Sequence, residues 1–132
     1  MPMTSYLRKK LGDHSIGKAA FTMPTTVYVG LFKAAPGDAG SLASEVTGGS
    51  YARIAITSLM GAFDSVVGIS ANGSTITFAT PTADWGTIVA VGIMDALTVG
   101  NMLYQESTPA RTILNGGRPV SFIAGQLEIQ LI

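Results

Sequence analysis

From Pro24 onward the chain reads as short runs rich in β-branched and aromatic residues, each cut off by Gly, Pro, Asn or Asp. That rhythm constrains the fold more than any other feature, because the runs have strand length and lack helical periodicity. They fall at residues 26–33, 51–58, 74–79, 87–95, 102–106, 119–123 and 126–131. Seven short strands with turn signals between them predict an all-β fold, an antiparallel β-sandwich of jelly-roll-like type. No helical pattern separates the runs, so parallel βαβ units are excluded.

Alternation within the runs assigns the faces. Ile54 and Ile56 oppose Arg53, Ala55 and Thr57, and Leu127, Ile129 and Leu131 alternate with Glu128 and Gln130. Such strands turn one side to a core and the other to water or a neighbour. The core read this way holds Val27, Val29, Leu31, Ile54, Ile56, Ile76, Phe78, Ile88, Val91, Ile93, Leu103, Phe122, Leu127 and Ile129. Trp85 falls at a strand start, at the edge of that core. One echo stands out: Val27-Tyr28-Val29-Gly30-Leu31-Phe32-Lys33-Ala34 aligns without gaps to Val89-Ala90-Val91-Gly92-Ile93-Met94-Asp95-Ala96. A glycine inside a strand marks a bulge or a close backbone approach, and two strands so interrupted fit side by side or at equivalent places in two sheets.

The single helix candidate opens the chain. Thr4 or Ser5 can cap it, Tyr6, Leu7 and Leu11 lie at helical spacing, and Gly12 can end it. The expected organisation is one sandwich domain over residues 1–132, with 1–23 an N-terminal helix or arm. Two loops are long. Residues 34–50 are rich in Gly, Ala and Ser, with Pro36-Gly37-Asp38 as a turn. Residues 59–73 carry Phe63, Val66, Val67 and Ile69, then Asn72-Gly73 as a tight-turn signal.

Composition narrows the function classes. Eight Lys and Arg balance eight Asp and Glu, whereas a nucleic-acid surface needs a basic excess. Charged residues make up 12% of the chain, about half the usual ~25%, which points to a surface partly covered by other copies or a partner. No cysteine is present, so disulfides and thiolate metal sites are excluded. No apolar run approaches the ~18 residues of a membrane helix, and no signal peptide is visible.

Catalytic, cofactor-binding and metal-ligating residues are expected to be absent. His14 is the one histidine, and no Ser–His or metal-type partners accompany it. The carboxylates are scattered without a close acid–base pair. Gly48-Gly49 and Gly116-Gly117 read as hairpin glycines, since no G-x-x-x-x-G-K-[ST] pattern follows. Asp84-Trp85 reads as a turn carboxylate before an anchoring tryptophan.

Several stretches together resemble small structural proteins of tailed bacteriophages. They are Tyr28-Val29-Gly30-Leu31-Phe32, Pro36-Gly37-Asp38, and Glu45-Val46-x-Gly48-Gly49-x-Tyr51-Ala52-Arg53. Ile76-Thr77-Phe78, Ala83-Asp84-Trp85-Gly86-Thr87-Ile88 and Val91-Gly92-Ile93 continue the series. Gly100-Asn101-x-Leu103-Tyr104 and Phe122-x-Ala124-Gly125-x-Leu127 complete it. Members of that family are commonly labelled tail-fibre or virion structural proteins. The chain departs from the family pattern in a more basic N-terminus and a more apolar 59–69 segment.

The resemblance implies a virion protein assembled in the host cytoplasm. Two functions fit it. The first is a capsid decoration (cement) protein that binds the major capsid protein and copies of itself, as a trimer, where shell subunits meet. The second is a tail or tail-fibre-associated adaptor that contacts other tail proteins. A long fibre by itself is excluded by the lack of a fibrous repeat, heptads or a collagen-like period.

The expected partner interface combines Arg8, Lys9 and Lys10, the one local charge asymmetry, with Leu59, Met60, Phe63, Val66 and Val67 of the loop. The alternative leaves the basic segment solvated and folds the loop over the protein's own core.

Overall fold

A computed structural model describes residues 1–131. One helix, α1 (Ser5–Ser15), precedes eight strands: β1 (Tyr28–Phe32), β2 (Ile54–Ala55), β3 (Ile69–Ala71), β4 (Ile76–Thr77), β5 (Gly86–Met94), β6 (Met102–Ile113), β7 (Ser121–Phe122) and β8 (Glu128–Gln130). A four-stranded sheet has the order β2-β1-β5-β6, and two small sheets pair β3 with β8 and β4 with β7. Every pairing is antiparallel. The architecture is the expected all-β sandwich with a short N-terminal helix, and the pairing does not identify a jelly roll.

The two strands of the internal echo are neighbours. β1 pairs with β5 so that Gly30 lies directly opposite Gly92. Opposed residues share a face, so both glycines thin the sheet at one place. A Cβ on Gly30 would stand 2.9 Å from both the Tyr51 hydroxyl and Glu45 Oε2, and one on Gly92 would stand 2.8 Å from the Met102 methyl. The glycines therefore make room for side chains laid over that face.

Both faces of the central sheet are covered. Val29, Leu31, Val91 and Ile93 point into the main core, where Ile76, Phe78, Leu127 and Ile129 arrive from the small sheets. On the opposite face Phe32, Ala90, Met94 and Met102 form a second cluster, closed by Leu42 from the 34–50 loop. Double coverage explains the nearly unbroken apolar run of β5. Every core residue read from the sequence lies in the main cluster, with Val27, Ile54 and Phe122 only partly buried. Trp85 is buried just before β5, and its Nε1 donates to the Gly49 carbonyl at 2.9 Å.

Four details depart from the sequence reading. β3 forms inside the stretch read as loop, because Ser70 and Asn72 are buried there and Asn72 acts as a hub. Its Nδ2 donates to the carbonyls of Ser74, Phe122 and Ile123, and its Oδ1 accepts from Leu127 N–H. β6 runs on through Pro109 to Ile113, because it is an edge strand and its register against β5 shifts between Ser107 and Arg111. A proline is tolerated at an edge bulge. α1 extends past Gly12 to Ser15. Arg53, read as facing water or a neighbour, is 5% exposed.

The N-terminal segment packs onto its own chain. Thr4 caps α1 by accepting from Leu7 N–H and sends its hydroxyl proton to the Met102 carbonyl at 2.6 Å. Thr4 N–H donates to the Leu103 carbonyl and Gln105 N–H to that of Pro2, so residues 2–4 cover part of the β6 edge. Covering an edge removes a template for stray pairing.

Candidate docking surface

α1 and the 59–69 loop meet around one apolar cavity of about 630 Å³. Leu7 and Leu11 of α1, Phe21 and Met23 after it, and Met60 and Phe63 of the loop contribute to its wall. Tyr104 of β6 also lines it, and burial raises that phenol above its ordinary range. Among the described residues, no Asp, Glu, Lys, Arg or His lines the cavity. Such a site offers apolar contact area and no ionic recognition.

The eight residues expected at the interface divide. Phe63 is 44%, Val66 90% and Val67 55% exposed. Their turn is held by Asp64, whose Oδ1 accepts from Val66 N–H at 2.7 Å and Val67 N–H at 3.0 Å. Those two bonds, the one from Val67 first, hold the Asp64 carboxyl below the usual carboxylate range. Leu59 and Met60, by contrast, are half-buried and pack against the core.

The three cations are mostly satisfied within the chain. Arg8 Nη2 grips both oxygens of Asp38, at 2.9 and 2.7 Å, and Nη1 donates to the Met3 carbonyl. That contact raises the Arg8 pKa and lowers that of Asp38. Lys9 bonds Asp13 one turn along the helix at 2.9 Å, which raises its pKa. Lys10 lies 5.7 Å over the Tyr6 ring and has no carboxylate partner among the described residues. Exposed pairs of this kind contribute little to stability.

A second polar site was not singled out in the sequence reading. Arg53 Nε and Nη2 each donate to Glu45 at 2.7 Å, a two-point pair with side chains 3% and 14% exposed. Tyr51 donates its hydroxyl proton to Glu45 Oε2 at 2.8 Å and accepts from Leu31 N–H at 2.9 Å. Burial, reinforced by the Glu45 carboxylate, drives the Tyr51 phenol far above its ordinary range. The Tyr51 ring stacks on Phe78 and meets Trp85 edge-on. Glu45, Tyr51 and Arg53 all stand in one quoted stretch, but spacing alone does not reveal that they converge beneath a strand.

Arg53 has a further task. Its Nη1 donates to the carbonyls of Ala96 and Val99, at 2.7 and 2.8 Å, and so holds the tip joining β5 to β6 from below. Asp95 and Asn101 close the base of the tip through two side-chain bonds. Val99 takes φ 55°, a left-handed conformation that a β-branched residue enters at a cost of about 1–3 kcal/mol. Leu97 is 53% and Val99 74% exposed. The fold thus holds two aliphatic side chains out in water on a strained, clamped turn.

A family model described as podophage GP4 fiber I protein gp80 matches residues 2–130, nearly the whole chain. No curated protein matches the sequence.

Proposed function

The chain belongs to the podophage fiber I protein family, a family of phage structural proteins, and from that premise we propose that it is a tail-fibre-associated module of the virion. Its work is to be held between neighbouring virion proteins, with no chemistry of its own. One observation carries this reading: on a domain of zero formal charge, α1 and the 59–69 loop surround an open apolar cavity and leave Phe63, Val66 and Val67 in water. Burial of apolar surface is the dominant favourable term in most protein association. The fibre description of the family favours the tail as its location.

Capsid decoration is the second reading. It is favoured by the non-repetitive sequence and its 12% charged content, which suit a cap on a lattice of shell subunits.

Copy number in purified particles separates the two. Tens of copies or fewer place the protein in the tail; hundreds place it on the shell. Changing Phe63 and Val66 together to Ser should lower occupancy on particles while the domain stays folded. Wild-type occupancy of that variant would move the docking surface elsewhere.

A further inference from the structure

We propose that the β5–β6 tip of one copy inserts Leu97 and Val99 into the apolar cavity beneath α1 of a second copy. The inference rests on reading the cavity face as an interface, and it names the occupant. Three features converge on it, and a fourth sets its strength.

The tip is prepared for contact. Residues 96–100 carry no charge, and the backbone beneath them is fixed by Arg53, Asp95 and Asn101. A strained, exposed valine persists only where its surroundings enforce it, so the fold itself holds these side chains outward. Pre-ordering reduces the entropy lost on binding.

The cavity is prepared in the same sense. Its lining, among the described residues, holds no Asp, Glu, Lys, Arg or His, so the uncharged tip enters without stripping water from an ion. At about 630 Å³ it lies within the ~300–1,000 Å³ of sites that take a small organic molecule, which leaves room for two aliphatic side chains.

The whole-chain charge permits self-association. Eight positive against eight negative residues leave no net repulsion between copies. Tip and cavity are also different surfaces of one chain, so the contact is head-to-tail. Repeated, it closes into a ring or runs as a filament.

Size sets the strength. A five-residue tip covers far less than the ~800 Å² per partner of a stable pair. Phe63 and Met23, both exposed on the cavity wall, must add to the contact, and ring closure multiplies weak single contacts.

The test uses two variants that disable opposite halves. Leu97→Asp/Val99→Asp removes the tip, and Met23→Asp/Phe63→Asp spoils the cavity rim. By light scattering at high micromolar concentration, the wild type should form oligomers and each variant alone should be monomeric. Their mixture, retaining one good tip and one good cavity, should give a one-to-one dimer and nothing larger, weaker than the wild-type oligomer because no ring can close. The absence of native cysteine allows a trapping arm. Thr98→Cys mixed with Ala62→Cys should cross-link at least about tenfold more than Thr98→Cys mixed with Ala124→Cys, the margin of a contact worth one decade in affinity. Equal cross-linking in both mixtures overturns the proposal, as does oligomerisation of either variant alone at the wild-type level. Loading of wild-type protein onto particles would survive that result, so the failure of this contact is distinguishable from failure of the virion role.

Discussion

At the residue scale the most consequential group is the Glu45–Tyr51–Arg53 cluster. Removing one partner of a buried pair strands the other charge, which costs about 3–5 kcal/mol. Arg53→Ala should therefore destabilise the protein by about 3 kcal/mol, and Glu45→Ala by a similar amount. The double variant Glu45→Ala/Arg53→Ala should cost clearly less than the sum, because no buried charge is left unpaired. Urea unfolding curves of the four proteins check this; additive losses would show that the pair is not coupled. The sequence displayed all three residues within nine positions, yet alternation turned Arg53 toward solvent. Period-two logic assumes one covered face, and here the 34–50 loop covers the other. Asn72 was legible only as half of a tight turn, since its four bonds reach residues up to 55 positions away.

At the scale of elements, most strands were legible as runs, but β3 lay in a stretch read as loop and strand extents were not legible. Apolar runs marked β1 and β5 well, and the Gly30–Gly92 echo was visible as two interrupted strands whose adjacency needed the fold. The run read as 102–106 continues as β6 to Ile113, since a strand at the sheet edge tolerates Pro109. The 59–69 loop was legible as an apolar interruption, and its exposed half owes its shape to Asp64. Because the folded Asp64 carboxyl sits below its unfolded value of about 3.9, its stabilising effect is complete above that pH and is lost as pH falls through the lower folded value. Amide signals of Val66 and Val67 should therefore titrate with a midpoint below the ordinary aspartate range. Asp64→Asn should abolish that titration. A midpoint at or above the ordinary range would mean that the carboxylate does not hold the turn.

At the scale of the whole molecule, the N-terminal segment decides between an arm and a clasp. Its basic residues suggested an arm that reaches a neighbour, but charge was the weaker signal there. The apolar Leu7, at helical spacing, is 3% exposed in the main core, and Thr4 is fully buried against β6. A Leu→Ala change at such a site alone costs about 2–5 kcal/mol, out of a total stability of about 5–15 kcal/mol. Deleting residues 2–10 removes Leu7 and Thr4, and leaves the Leu103 carbonyl and Gln105 N–H on the β6 edge without their backbone partners. The deletion should therefore abolish cooperative unfolding or lower the melting temperature by well over 10 °C, at about 4–8 °C per kcal/mol for a small domain. Phe63→Ser, on the exposed rim, should move it by no more than about 2 °C. Thermal melts followed by circular dichroism distinguish the outcomes. A deletion variant that melts with the wild type would make the segment a free arm, and its cations would again be available to an acidic neighbour. Loss of the transition makes α1 part of the wall that shapes the cavity, so that docking and folding depend on the same nine residues.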